Sequence, residues 1–304
     1  MKKALILADT IGEKKETFVI EIQKRLPGGC KIYLARLADI SFYIEKGKVE
    51  MLVQGLNQDI TSFDFVYFRR AGKSFGIVAA TVAAGLDFLG ISYVDRTWAE
   101  IGPLGSKMTS LMKLATSGIE IIPTFYCWNT AVEDNKQTII SKFGFPFVAK
   151  ELGTQLGRGV YLIKKEQDFN LLPIQSENRK GENQYLFQKF IDKKDEYRFL
   201  VLGDKVAVAE KKIATHENEF RNNVSLGARE EFLSLNLIPK DIQNMAVRAS
   251  KALNIQIAGV DITTDIKGQS WVLEANRGPG LTYDTSISPE LDELAKYFKE
   301  ELNK

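Results

Sequence analysis

Histidine and cysteine are almost missing from this 304-residue chain, which has only His216, Cys30 and Cys127. One histidine excludes a zinc site built on several imidazoles and leaves a histidine-dependent triad only His216 to use. The two cysteines are far apart and lack metal-ligand spacing. Asp9 also interrupts the first apolar run too early for a signal peptide, so a reducing cytoplasm is expected. No stretch reaches the roughly 18 consecutive apolar residues of a membrane span, which argues against a membrane role. Charge of one sign is missing too: 41 Lys and Arg face 39 Asp and Glu, for a net +2. Residues 1–106 hold 14 basic and 12 acidic residues, which leaves 27 of each for the rest, so neither part reads as a nucleic-acid domain. Internal repeats and low-complexity segments are absent. With 44% hydrophobic residues, the chain can bury a large core and is expected to divide into two or more domains.

What is present begins as alternating strand and helix. KKALILAD reads as a buried strand, and KETFVIEIQKRL has helical spacing that stops at Pro27-Gly28-Gly29. KIYLARL, a hairpin around Lys46-Gly47, the strand FDFVYFRR, a helix rich in small residues and the strand ISYVD complete the first hundred residues. This rhythm implies a mostly parallel sheet covered by helices. No GxGxxG follows the first strand, which excludes the usual dinucleotide fingerprint. Arg69, Arg70 and Lys73 sit where a parallel strand ends, either as a ligand site or as a solvated basic edge.

After residue 106 the pattern changes. SKMTSLMKLATSGI is a helix ending at Gly118, and FPFVAK is a short buried strand ending in Lys150. The next loop carries Gly153, Gly157 and Gly159 between two strands; no GK[ST] and no helix follow, so it is not a Walker loop. Its glycines would let backbone N–H groups approach phosphate oxygens, and Lys150 needs a counter-charge that a phosphate supplies. The plain alternative is a mobile turn. YLFQKFI and EYRFLVLGDKVAVAEKKI are strands, the latter a hairpin through Leu202-Gly203-Asp204 that ends at Lys211 and Lys212. Residues 214–230 are polar and aperiodic and read as a loop able to close over a ligand, with Arg221-Asn222-Asn223 as a compact donor set. A last hairpin pairs AGVDITTD (258–265) with SWVLEAN (270–276). Period-two alternation puts Glu274 and Asn276 on one face, and the hairpin brings Asp261 within reach. Two carboxylates and an amide oxygen suit magnesium rather than zinc; the competing reading is a solvated acidic turn.

The order of these motifs resembles the ATP-grasp superfamily, closest to the RimK-type ligases that add glutamate to a protein C-terminus. The resemblance spans residues 106–285 and rests on Lys107, FPFVAK with its glycine loop, QKFI, DEYRFLVLGDKVAVAEKK, FRNN, AGVDI and VLEANRGPGL. It implies an α/β and α+β fold. A Rossmann-like pre-ATP-grasp domain on the substrate side would cover 1–105, and a two-lobed ATP-grasp domain 106–304. The smaller lobe (106–185) would carry the glycine loop and the larger (186–304) the metal site.

By the same resemblance, Lys107 and Lys150 would neutralise ATP phosphates, with Gly153, Gly157 and Gly159 closing over them. Gln188, Lys189, Phe190 and Ile191 would form the adenine linker, Glu196 (or Asp195) would hold the ribose, and Lys211 would join the nucleotide site. Arg221 and Asn223 would face the γ-phosphate and the reacting carboxylate. Asp261, Glu274 and Asn276 would hold magnesium, with manganese as a substitute. Arg69, Arg70 and Arg277 are the candidates for binding a substrate carboxylate, since guanidinium groups hold carboxylates bidentately. The chain departs from its relatives at Lys189, where many have an acid. The span from there to Glu196 is about two residues short, and Arg-Gly-Pro-Gly follows Asn276 in place of a small residue and Ser.

The implied reaction is ATP-dependent joining of a carboxylate to an amine through an acyl phosphate. The substrate would be an amino acid, peptide or protein, without nucleic acid or membrane partners; the resemblance allows a homo-oligomer, and the sequence does not give the oligomeric state. A peptide macrocyclase, an ATP-grasp kinase and a silent nucleotide-binding regulator are the alternatives.

Overall fold

The computed structural model describes residues 1–303 apart from 27, 46–47, 73–74, 101–106, 129–130, 153–158, 174–183 and 214–228. The first strand, β1 (Lys2–Ala8), lies at the centre of a parallel sheet, which explains its unbroken apolar run: Ala4 to Ala8 are all fully buried. Helix α1 (Glu13–Arg25) leads to β2 (Cys30–Arg36). A small antiparallel sheet follows, of β3 (Ile40–Glu45), β4 (Lys48–Val53) and β5 (Gln58–Asp59). Then come β6 (Phe65–Arg70), α2 (Gly76–Leu89), β7 (Ser92–Val94) and the short α3 (Thr97–Glu100). The parallel order is β2-β1-β6-β7. The C-terminal edge of this sheet therefore carries Asp9, Arg69, Arg70 and Asp95 together.

After α4 (Lys107–Thr116) the second sheet is built from β8 (Thr124–Trp128), helix α5 (Val132–Phe143), β9 (Phe147–Glu151), β10 (Val160–Ile163) and β11 (Gln184–Lys189). Its antiparallel order is β10-β9-β11-β8, and Phe147, Phe169 and Phe187 fill the space beneath α5. The largest sheet contains β12 (Lys193–Leu202), β13 (Lys205–Ile213), β14 (Arg229–Leu233), β15 (Ile257–Asp265) and β16 (Ser270–Arg277), in the order β14-β13-β12-β15-β16. Helix α6 (Lys240–Ala252) packs Ala246 and Ala249 against Phe199, Val201 and Val260 on one face.

The opposite face meets α7 (Glu290–Leu302) and the N-terminal sheet. Phe298 of α7 makes edge-on ring contacts with Phe18, Phe65 and Tyr67 at 6.4, 5.5 and 5.6 Å. Leu200, Leu202 and Ile257 of the large sheet belong to the same apolar cluster. One face of β1 thus shares a core with the C-terminal third of the chain, while Leu5 and Leu7 on its other face pack with α2 residues. Among the described residues no helix is long and apolar enough to cross a membrane.

Candidate active site

Strand alternation assembles the site. On β12, Glu196 and Arg198 point to one face, and their register partners are Thr263 and Asp261 on β15. On the other side Arg198 pairs with Glu210 of β13, which places Lys212 opposite Glu196. Asp261 is in turn opposite Glu274 on β16. Glu196, Arg198, Lys212, Asp261 and Glu274 therefore share one face of four adjacent strands.

The contacts follow that register. Arg198 grips Asp261 bidentately, its Nε donating to Oδ1 at 2.9 Å and its Nη2 to Oδ2 at 2.8 Å. Lys212 Nζ lies 3.1 Å from the same Oδ1 and 3.4 Å from Glu196 Oε1. Lys193 Nζ donates to Glu196 Oε2 at 2.9 Å. Burial by itself would raise the Asp261 pKa, but Lys212 and Arg198 overcome it and hold the carboxyl below its ordinary value. The same carboxylate keeps Arg198 firmly charged in spite of burial.

Lys107, at the start of α4, reaches across to Glu274 Oε2 at 3.2 Å. Lys150 on β9 comes from the facing sheet. Burial pushes its ammonium down to about 8, and Lys107 and Lys193 nearby add to the effect. Five cations (Lys107, Lys150, Lys193, Arg198, Lys212) thus surround four acids (Glu196, Glu210, Asp261, Glu274), of which burial pushes Glu210 up to about 8 and so leaves it mostly neutral at pH 7. Such a surplus of positive charge calls for an anion, and a polyphosphate has the matching charge.

The expected metal trio converges. Asn276 Nδ2 donates to Glu274 Oε1 at 2.8 Å, so both project to one side, beside Asp261. Among the described residues no three His, Cys, Asp or Glu side chains gather as a metal cluster, so this set has only two carboxylates. Two hard carboxylates and an amide whose oxygen takes the place of Nδ2 after a half-turn about the Asn276 Cβ–Cγ bond fit magnesium. Lys212 and Arg198 hold the Asp261 carboxyl ionised, as a cation requires.

Other residues take different positions. Gln188 is buried, and its Nε2 donates to Thr124 Oγ1 at 2.9 Å, pinning β11 to the start of β8. Lys189 N–H donates to Pro123 O at 3.1 Å, so of the two linker residues only Ile191 keeps a backbone N–H without a partner among the described residues. Ile191 packs with Ile122, Trp271 and Leu273, while Phe190 is half-buried and Lys189 exposed. Lys211, expected in the nucleotide site, lies on the opposite face: its Nζ pairs with Asp195 at 2.6 Å. Alternation decides this, because the lysine that faces the cluster is Lys212 and the acid is Glu196 rather than Asp195. Sequence reasoning missed Arg198 and Lys193, although the spacing of Glu196 and Arg198 already put them on one face.

Arg69 and Arg70 do not form a two-arginine clamp, since both spend donors on consecutive backbone carbonyls of the loop after β16. Arg69 is buried and donates from Nη1 to Pro279 O at 2.9 Å; Arg70 is exposed and donates from Nε to Gly278 O at 3.4 Å. Arg277 instead lies over the Trp98 ring, its guanidinium carbon 3.9 Å from the centroid. Gly159 precedes β10, and its carbonyl accepts from Glu151 N at 2.8 Å. Gly153, Gly157, Arg221 and Asn223 lie outside the described residues, as do Lys73, the Lys46-Gly47 turn and His216.

Comparison with known proteins accords with this geometry. The sequence pattern of the RimK-like ATP-grasp domain matches residues 105–293. The chain belongs to the RimK-like ATP-grasp family. Its relatives include a probable alpha-L-glutamate ligase of Trichodesmium erythraeum, 29% identical over 83% of this chain and 81% of the relative. Another, from Xanthomonas euvesicatoria pv. vesicatoria, is 31% identical over 73% of this chain and 72% of the relative. Among solved structures, the ATP-grasp ligase PsnB complexed with minimal precursor superposes with a TM-score of 0.71 at 16% identity, covering 99% of each chain. The D-alanine-D-alanine ligase of Coxiella burnetii superposes at 0.65 and 15% identity, over 100% of this chain and 94% of that one. These superpositions establish an ATP-grasp fold over the whole chain, and this RimK-like protein is a member of a ligase family.

Proposed function

We propose that the chain is an ATP-dependent carboxylate–amine ligase that works through an acyl phosphate. The observation that carries this reading is the cation-rich face on which Lys107, Lys150, Lys193, Arg198 and Lys212 surround Glu196 and the oxygen trio Asp261, Glu274 and Asn276. A carboxylate is a poor electrophile at neutral pH, so it must first become an acyl phosphate whose phosphate departs when an amine attacks. Phosphoryl transfer spreads negative charge over several oxygens, and its catalysis is mainly positioning and electrostatic stabilisation. No protein nucleophile is required, in keeping with the scarcity of His and Cys.

The roles assigned combine the geometry of the described residues with the order of the family motifs. Lys107 and Lys150 hold phosphates, Ile191 and the apolar group beside it receive the base, and Glu196 with Lys193 stands toward the ribose. Asp261, Glu274 and Asn276 hold magnesium, which when bound neutralises charge on the phosphates. Arg221 and Asn223 are assigned to the γ-phosphate and the reacting carboxylate, and the glycine loop to closure over ATP. Residues 1–105 are taken as the substrate-side domain and 106–304 as the ATP-grasp domain, with the lobes meeting near 185/186. The name shared by the curated relatives makes L-glutamate the first amino acid to test.

The deciding experiment measures ADP and free phosphate with Mg-ATP and combinations of carboxylates and amines. A ligase releases both only when carboxylate and amine are present together. A stable phosphorylated product without free phosphate identifies a kinase, and loss of water from a single peptide identifies a macrocyclase.

A further inference from the structure

Two carboxyl side chains are buried against each other at the inner end of the cation-rich face. Glu210 of β13 and Glu290 of α7 are 5% and 2% exposed, and their carboxyl groups are in hydrogen-bond contact. The proposed reaction assigns a role to neither. Two carboxylates cannot hydrogen-bond to each other, so one of the pair carries a proton.

The surroundings decide which. Glu290 Oε2 accepts from the Thr282 N–H at 2.7 Å and from Ser288 Oγ at 3.2 Å, and both bonds favour its ionised form. Burial raises Glu290, while the Thr282 N–H, Glu210 and Ser288 pull it back down. Glu210 is faced by Arg198 on β12, Glu230 on β14 and Glu290 itself. Burial and the two acids push it up to about 8, and Arg198, whose Nε and Nη2 are engaged by Asp261, offsets only part of that. The proton is therefore on Glu210, which donates to Glu290.

The pair holds the chain that leaves β16. Gly278 O and Pro279 O accept from Arg70 and Arg69, and Leu281 and Tyr283 pack on the core shared with α7. Glu290 then grips Thr282 from the start of α7. β16 carries Glu274 and Asn276, while β13 carries Lys212, two residues beyond Glu210. One shared proton thus joins the strand of Lys212 to the exit of the strand that bears two of the metal-facing residues. Without it, two buried carboxylates stand opposed beside a third acid, Glu230, and repel.

We infer that Glu210 and Glu290 are positioning residues: by sharing a proton they lock segment 278–289 against β13 and keep Glu274 and Asn276 aligned with Lys212, and loss of the proton releases the segment. The use of the lock in catalysis rests on the ligase reading; the lock itself does not. Its pH dependence has a definite sign. In the released segment Glu210 faces water and ionises in the ordinary carboxyl range, so the locked form binds the extra proton between about pH 4.5 and 8 and weakens as pH rises.

The test is hydrogen exchange read by mass spectrometry on the full-length chain from pH 6.5 to 9.5, with rates corrected for the intrinsic pH dependence of exchange. Protection of segment 278–289 is expected to fall about tenfold between pH 7 and 9 in the wild type. Glu210→Gln, which keeps a donor toward Glu290 and cannot ionise, should hold its protection level across that range. Glu290→Gln, which removes the opposing charge, should move the fall below pH 7 and keeps the inference testable if Glu210→Gln does not fold. Level protection in the wild type overturns the inference, as does a fall that stays in place in either variant. At saturating Mg-ATP, kcat should drop from pH 7 to 9 more in the wild type than in Glu210→Gln, since Lys150 is common to both; an equal drop overturns the positioning role. A pH-dependent lock without any ATP turnover supports the lock and removes the ligase reading. Turnover with a level segment keeps the ligase reading and overturns the inference.

Discussion

At the scale of single residues, charge and burial decide what each group can do. Glu274 is half-buried and braced only by Lys107 and Asn276 among the described residues, so changing it perturbs chemistry more than folding. Glu274→Gln is expected to reduce kcat about 100-fold or more while the melting temperature stays within a few degrees, checked by turnover and calorimetry. Lys150 gives a pH test. Its pKa of about 8 in the free protein lies below the ordinary lysine value, so above pH 8 the ammonium loses its proton, and an incoming phosphate raises the pKa again. ATP binding above pH 8 should therefore take up a proton and weaken as pH rises. Titration calorimetry in buffers of different ionisation enthalpy measures the uptake, and Lys150→Met should abolish it. On the stability side, the unfolded chain binds more protons between about pH 8 and 10.5, so this residue makes stability rise with pH across that window.

At the scale of elements, the period-two rule of strands separates neighbours that composition treats alike. Lys211 and Lys212 are consecutive and chemically identical, yet Lys212 bridges Glu196 and Asp261 while Lys211 pairs with Asp195 behind the sheet. Lys212→Met should destabilise the fold by about 3 kcal/mol and strongly reduce ATP affinity, because it leaves two buried carboxylates short of a partner. Lys211→Met should leave the ATP KM within about twofold, since its pair with Asp195 lies on the face of the sheet away from the cluster; steady-state kinetics compare the two. The strands, helices and final hairpin were legible because their apolar periodicity and turn residues are local. The assignment of Lys211 failed because it followed motif order, and motif order does not say to which face a strand turns each side chain. The Arg-Gly-Pro-Gly departure also finds its cause here. Gly278 has φ +52°, and a Cβ there would lie 1.9 Å from Arg69 O, so the chain leaving β16 can pass against β6 only with glycine.

At the scale of the whole molecule, the N-terminal sheet and the C-terminal helix share one core. Phe298→Ala removes a fully buried ring that touches Phe18, Phe65 and Tyr67, and should cost about 3–5 kcal/mol. Because the cluster joins β1, β6, β12 and α7, the loss should lower one cooperative transition followed by both near-UV circular dichroism and calorimetry. The sequence by itself determined the succession of elements, the ATP-grasp order of motifs and the chemistry of the oxygen trio, because these depend on local periodicity and on residue type. Only the tertiary structure decided that Arg198 and Lys212 guard Asp261, that Arg69 and Arg70 are spent on the loop after β16, and that Arg277 stacks on Trp98. Those outcomes depend on strand register and on which sheets meet, and both are set by contacts between residues far apart in the chain.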